Sequence, residues 1–319
     1  MRTTFFKVAG LMMLIGMIGS NKDLFGIDGS NIDSNIHKNG VNTPLFGIAY
    51  GPFRDGEDPG RGIYPTRDEI AEDMGILKKM AHGIRTYSVG KGMLQIVELA
   101  DQEGLRVEPG AWVDANPSVS NQEIAALLEA DRKFKNIDFL TVGNETLYSG
   151  RLTEHELIDY IQKVKAQTKR PVTTAEPWKL WLAHPDLTEA CDLILIHVYP
   201  YLDGVWIDQA AWKVIECVRT LQKQYPNKRI VIGEAGWPTA GHAIGKATAS
   251  PENQERFFRE LVSLCRDEKV DLFLFEAFDE AWKSGEGDHG IHWGLYDANR
   301  QPKHGFRGLL EEQSARRSP

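Results

Sequence analysis

From residue 46 onward, short runs of apolar and β-branched residues alternate with longer stretches in which apolar positions recur at helical spacing. The runs 46–53, 83–88, 106–113, 138–145, 171–178, 193–201, 229–238 and 271–282 read as eight strands. Thr66-x-x-Glu69, Ser120-x-x-Glu123 and Thr153-x-x-Glu156 have the form of capping boxes, and Ser250 followed by Pro251 is a further helix start. Strands separated by helices imply right-handed βαβ units and a parallel sheet, and eight such units predict an α/β fold closed into a (β/α)8 TIM barrel. A doubly wound open sheet shares the alternation, but no Walker loop follows any of these runs.

The flanks lack this pattern. Residues 1–20 place Arg2 and Lys7 before the apolar run 8–19, which predicts an export signal or a short anchor, with no clean Ala-x-Ala cleavage site. That run is shorter than the roughly 20 residues a membrane-spanning helix needs. Residues 21–44 are polar and read as a linker, 45–310 as a single catalytic domain, and 311–319 as a polar tail. Asp23, Asp28 and Asp33 lack the spacing of a calcium loop.

Composition narrows the function. Hydrophobic residues make up 42% and charged residues 26% of the 319, which is ordinary globular usage. A net charge of −8, without a basic run, excludes a nucleic-acid partner. Cys191, Cys217 and Cys265 cannot all pair and lie in apolar patterns, so they read as buried free thiols.

In a barrel the chemistry collects at the carboxyl ends of the strands. There the fourth run ends Val142-Gly143-Asn144-Glu145, the seventh contains Gly233-Glu234-Ala235-Gly236-Trp237, and the eighth passes through Glu276, Asp279 and Glu280, with Lys283 just beyond. Acids at apolar strand ends are costly unless paired or used. Seven of the eight tryptophans, Trp112, Trp178, Trp181, Trp206, Trp237, Trp282 and Trp293, also fall at strand ends or in following loops. Flat aromatic faces cover the C–H faces of sugars while carboxylates and amides bind the hydroxyls, so a carbohydrate cleft accounts for both populations. Cleaving a glycosidic bond needs two carboxyl groups, and the fourth and seventh strands face each other across the mouth, which brings Glu145 and Glu234 to one sugar.

Around this pair, Asn144 is placed to hold a sugar hydroxyl and Tyr199 to donate a hydrogen bond to Glu234 and keep it ionised. Arg85 and Tyr87, ending the second run, either bind substrate or, in the case of the arginine, serve as counter-ion to Glu234. Tyr50, Glu176, Trp178, Trp237, Glu276, Asp279, Glu280 and Lys283 complete the candidate substrate-binding set. A zinc site on His197, His242, His289 and His292 lacks a His-Glu-x-x-His helix or a cysteine pair, so these histidines read as lining the cleft or bonding locally.

Thr141-Val142-Gly143-Asn144-Glu145 and Val231-Ile232-Gly233-Glu234-Ala235-Gly236-Trp237-Pro238-Thr239 resemble the two signatures of glycoside hydrolase family 17. The likeness extends through Phe46-Gly47-Ile48-Ala49-Tyr50-Gly51, Ile84-Arg85-Thr86-Tyr87-Ser88, Trp293-Gly294-Leu295-Tyr296 and Pro302-Lys303. This resemblance implies a retaining clan A barrel, a β-1,3- or β-1,3/1,4-glucan substrate, no cofactor, Glu145 as acid/base and Glu234 as nucleophile. In plant members an acid and a lysine correspond to Glu280 and Lys283. Glu276 and Gly290 depart from the plant pattern and look like the bacterial branch, some of whose members transfer the glycosyl group to another sugar. Hydrolysis of β-1,3-glucan, glucanosyl transfer by the same two glutamates, and a non-catalytic glucan-binding barrel are therefore the three readings.

Overall fold

The structure, a computed structural model, describes residues 45–303. The predicted export segment, linker, polar tail and the last residues of the predicted domain lie outside that range. Nine parallel strands form one sheet: β1 (Leu45–Ala49), β2 (Ala81–Arg85), β3 (Arg106–Glu108), β4 (Gly110–Ala111), β5 (Leu140–Asn144), β6 (Val172–Pro177), β7 (Leu193–Val198), β8 (Arg229–Gly236) and β9 (Asp271–Phe275). Their order is β3-β2-β1-β9-β8-β7-β6-β5-β4. The two end members are halves of the single predicted run 106–113. Pro109 divides it, because proline has no N–H for the ladder, while its carbonyl still accepts from Thr141 N on β5 at 3.0 Å. The ring thus closes, and the eight predicted strands become a (β/α)8 barrel.

Among the described residues eight α-helices connect the strands: α1 (Arg67–Leu77), α2 (Leu94–Gln102), α3 (Pro117–Lys133), α4 (Glu154–Lys165), α5 (Trp178–Ala183), α6 (Pro185–Ala190), α7 (Ile207–Gln224) and α8 (Pro251–Glu268). The capping boxes at Thr66 and Thr153 are both formed, and Ser250 caps α8. The third predicted box is not. Asn116 caps α3 with Pro117 in the first turn, whose fixed φ starts the helix before Ser120 is reached. Glu123 is instead buried and accepts from Ser88 Oγ (2.7 Å), Gly90 N (3.2 Å) and Trp112 N (3.2 Å), tying the loop after β2 to the end of β4. Among the described residues no helix is long and apolar enough to cross a membrane.

Side-chain alternation divides the core in two. On β7, Ile194, Ile196 and Val198 face the helices, whereas Leu193 and Leu195 join Phe139, Ala175, Val231 and Phe273 in a second apolar cluster. His197 continues the row begun by Leu193 and Leu195, which carries it toward the mouth. Cys191, Cys217 and Cys265 are buried free thiols. Trp181, Trp237 and Trp293 are also buried, so these three fill space between strands and loops rather than lining a cleft as expected.

Glu108 is a buried carboxyl that accepts a hydrogen bond from Phe139 N at 3.0 Å and lies 3.9 Å from the Arg106 guanidinium. Burial pushes it up to about 8, against the pull of that amide and of Arg106. The unfolded chain ionises this group near 4.5, so the folded state holds an extra proton between the two values and loses stability as pH rises through that window. Glu108→Gln, neutral throughout, should leave stability unchanged at pH 4 and raise it at pH 8 by on the order of 1–3 kcal/mol, read from thermal melts at both pH values.

Candidate active site

The carboxyl ends of β2, β5, β7 and β8 bring Arg85, Asn144, Glu145, His197, Tyr199 and Glu234 together. A carboxylate oxygen of Glu145, one of Glu234 and a ring nitrogen of His197 all lie within 4.8 Å of one another. Glu145 follows β5 directly and is held with φ 49°, a left-handed conformation that costs an ordinary side chain energy and that clusters at functional sites. Its backbone N–H donates to Ala175 O at 2.7 Å and its carbonyl accepts from Ser149 N at 2.9 Å, which hold the turn in place. Glu176 reinforces it by accepting from Leu147 N (2.7 Å) and Tyr148 N (3.2 Å), and burial pushes the Glu176 carboxyl up to about 7.

Glu234 is almost completely enclosed, with a side-chain exposure of 5%, against 26% for Glu145. Arg85 donates to its Oε1 at 2.6 Å, Tyr199 OH donates to its Oε2, and His197 Nδ1 stands 3.5 Å from the same oxygen. Burial by itself would raise this carboxyl. Attraction to His197 and Arg85 and the hydrogen bonds from Tyr199 and Arg85 overcome that and hold it below the usual carboxylate range. Arg85 also donates to Asn144 Oδ1 at 2.6 Å, so the guanidinium orients the amide beside Glu145 while it neutralises Glu234. Arg85 is thus the counter-ion. Its neighbour Tyr87 keeps a buried hydroxyl with no hydrogen-bond partner among the described residues, and burial raises that hydroxyl well above the ordinary tyrosine value.

Beyond β9, Lys283 forms buried ion pairs with Glu276 and, at 2.7 Å, with Glu280; Glu280 also accepts from Phe53 N at 3.3 Å. Burial opposes the Lys283 charge, but Glu276, Glu280 and Glu286 outweigh it and hold the ammonium well above its ordinary value. Lys283 lies 4.8 Å from the centre of the Phe275 ring, and Phe275 packs edge-on against Tyr199 at 5.4 Å, which sets this cluster beside Glu234. Glu276 Oε1 is buried and has no hydrogen-bond partner among the described residues.

Other expected substrate-binding residues lie elsewhere. Tyr50 is fully buried and donates to Asp73 on α1 at 2.9 Å. Asp279 pairs with Lys303 at 2.6 Å and accepts from Gly294 N, a structural tie between loops. Trp237 donates its indole N–H to Thr248 O at 3.0 Å and packs on Tyr201 and Phe257. Trp178 opens α5, with Lys179 and Lys213 each 5.8 Å from its ring centre. For Tyr50, Asp279 and Trp237, proximity to a strand end is not proximity to the mouth, because the side chain can turn outward between strand and helix.

One contributor was not among the expected residues. Arg151 stacks 4.1 Å from the Trp112 ring centre and donates to Asn144 O, a contact that a loop arginine six residues past Glu145 did not announce. His197, expected to line the cleft or bond locally, touches both glutamates; it lies two residues before Tyr199 and so shares its face. The Glu145–His197–Glu234 trio is the one group among the described residues with the donor spacing of a metal site. Arg85 and Tyr199 already occupy the oxygens of Glu234, and a cation would have to displace them.

Two carboxyl groups this close across the mouth of a (β/α)8 barrel, one held ionised and one facing the cleft, have the spacing that retaining glycoside hydrolases use. The chain belongs to the BtgE/BtgC glycoside hydrolase domain family, which matches residues 47–294. It is 32% identical over 257 residues to a glucan 1,3-beta-glucosidase of Arthroderma benhamiae, covering 74% of this chain and 83% of that protein. With a probable glucan endo-1,3-beta-glucosidase btgC of Aspergillus fumigatus it shares 27% identity over 76% of its own length, and it spans only 40% of that relative. Among solved structures it resembles the glycoside hydrolase family 17 beta-1,3-glucanosyltransferase of Rhizomucor miehei, at 27% identity and a TM-score of 0.72 over 82% of this chain and 96% of the other. The family 17 resemblance is therefore met. These relatives are fungal, which does not bear out the bacterial-branch expectation.

Proposed function

We propose that the chain is a retaining enzyme acting on β-1,3-linked glucan by double displacement. The carrying observation is the close pair of glutamates in unequal surroundings, Glu234 enclosed and held ionised by Arg85, Tyr199 and His197, Glu145 open to the cleft. Glu234 attacks the anomeric carbon and forms the glycosyl–enzyme bond. Glu145 gives its proton to the departing oxygen as the C–O bond breaks, then takes a proton from the incoming acceptor, which displaces Glu234. No residue of this scheme calls for a cofactor.

The relatives support the choice of sugar, since their names specify 1,3-linked glucan and an active-site mutant of the Rhizomucor miehei enzyme is in complex with laminaritriose. Likeness to that transferase favours a second reading, in which a sugar hydroxyl replaces water as acceptor. An ionised Glu234 beside Glu145 argues against a barrel that only binds glucan. Residues 1–20, charged and then apolar, support export to the periplasm or beyond.

Incubation with linear β-1,3-glucan oligosaccharides and separation of the products tests the proposal. Shorter sugars alone indicate hydrolysis, products longer than the substrate that increase with its concentration indicate transfer, and an unchanged substrate overturns the proposal.

A further inference from the structure

The double displacement uses His197 only to help keep Glu234 ionised, yet its ring stands between the two glutamates and lies closer to Glu145. It is 2% exposed, its Nδ1 lies 2.8 Å from Glu145 Oε1 and 3.5 Å from Glu234 Oε2, and its Nε2 is buried without a hydrogen-bond partner among the described residues. The β7–β8 register fixes this arrangement by pairing His197 with Glu234, while Glu145 enters from β5. A charged imidazole ring carries an N–H on both nitrogens, Nδ1 included, and a neutral one carries a single N–H, on either nitrogen. At Nδ1 it meets two carboxylate acceptors. At Nε2 it would be a buried donor with nothing to bond, and the Nδ1 lone pair would then face the carboxylate oxygens, a double penalty. The hydrogen therefore sits on Nδ1 and is donated to Glu145 Oε1.

That bond distinguishes the two oxygens of Glu145. An Oε1 that accepts from Nδ1 cannot also hold its own proton toward the same nitrogen, so an acidic Glu145 carries its proton on Oε2. We propose that His197 is a positioning residue that keeps the proton of Glu145 on Oε2, where the departing glycosidic oxygen takes it. The inference rests on the reading of Glu145 as acid/base. During bond cleavage the Oε2 proton moves to the glycosidic oxygen, the C–O bond breaks with its electron pair on that oxygen, and Glu234 closes the new bond to the anomeric carbon. The Nδ1–H stays on the ring throughout and continues to donate to the carboxylate that remains. When the acceptor attacks, its proton returns to Oε2.

The test compares a linear β-1,3-glucan oligosaccharide with a 2,4-dinitrophenyl glycoside of the same sugar, whose leaving group departs without a proton. His197→Ala should lower kcat/KM on the oligosaccharide by on the order of 100-fold, within the range of general acid catalysis, and lower it at least about tenfold less on the dinitrophenyl glycoside. His197→Asn, whose amide nitrogen falls near the place of Nδ1, should recover about tenfold of the oligosaccharide loss. Equal losses on the two substrates, or an asparagine variant no better than alanine, would overturn the proposal, because a residue that only fills space affects both substrates alike. Glu145→Ala serves as the control: if it does not spare the dinitrophenyl glycoside, the acid/base reading itself fails, a result distinct from failure of the role of His197.

Discussion

Replacing Glu234 with glutamine is expected to lower kcat on β-1,3-glucan oligosaccharides by on the order of 10⁵-fold, the scale on which loss of a nucleophile is felt. The amide is uncharged and cannot form the glycosyl–enzyme bond, while Arg85 and Tyr199 keep their positions around a group of nearly the same shape. One of those two donors must then face an amide N–H, so a loss of thermal stability is expected alongside. Smaller variants separate the roles by stereochemistry. In Glu234→Gly, azide fills the space of the lost carboxylate and attacks the substrate directly, giving the α-glycosyl azide. In Glu145→Ala, azide attacks the intermediate formed by Glu234 and gives the β-product. Both anomers are distinguishable by proton NMR, and unchanged turnover in Glu234→Ala would dispose of the enzymatic reading.

Arg85→Met should be the most damaging change outside the glutamates. Its guanidinium is fully buried, forms a 2.6 Å ion pair with Glu234 and holds Asn144 at 2.6 Å. Removing one partner of a buried pair strands the other, at a cost of about 3–5 kcal/mol. In the native protein Glu234 is held below the usual carboxylate range, so its contribution to stability is present above that range and fades as pH falls through the lowered value. Without Arg85 the burial that raises this carboxyl is no longer balanced. The loss of stability should then be largest near pH 8 and shrink toward pH 4, where the stranded carboxyl takes a proton. The acid limb of the kcat/KM profile should also move to higher pH, because Glu234 must be ionised to act as the proposed nucleophile. Melting curves at several pH values and a pH–rate profile measure both effects. A variant equally destabilised at every pH, with an unmoved acid limb, would show that Arg85 acts through packing alone.

The route from pattern to barrel was short because the alternation of strand and helix is a local property. Each apolar run is long enough to pair and each amphipathic stretch has one face to bury, and right-handed crossovers leave few ways to assemble eight such units. The capping boxes at Thr66 and Thr153 were readable for the same reason, since every atom involved lies within four residues. Ser120-x-x-Glu123 has the same form, and the helix nevertheless starts earlier. Asn116 and Pro117 set that start, and Glu123 finds four donors from segments up to 35 residues away.

At the mouth, the sequence by itself determined which strands end in acids and that Asn144, Glu145, Tyr199 and Glu234 converge, because strand ends in a barrel share one rim. Only the tertiary structure decided how those groups bond. It made Arg85 the partner of Glu234 and placed His197 against both glutamates. It sent Tyr50, Asp279 and Trp237 into bonds away from them. The physical reason is that a buried polar group takes whichever partner the packing offers, and those partners come from strands and loops far apart in the chain. Periodicity assigns a side chain to a face; the neighbouring elements decide what it meets there.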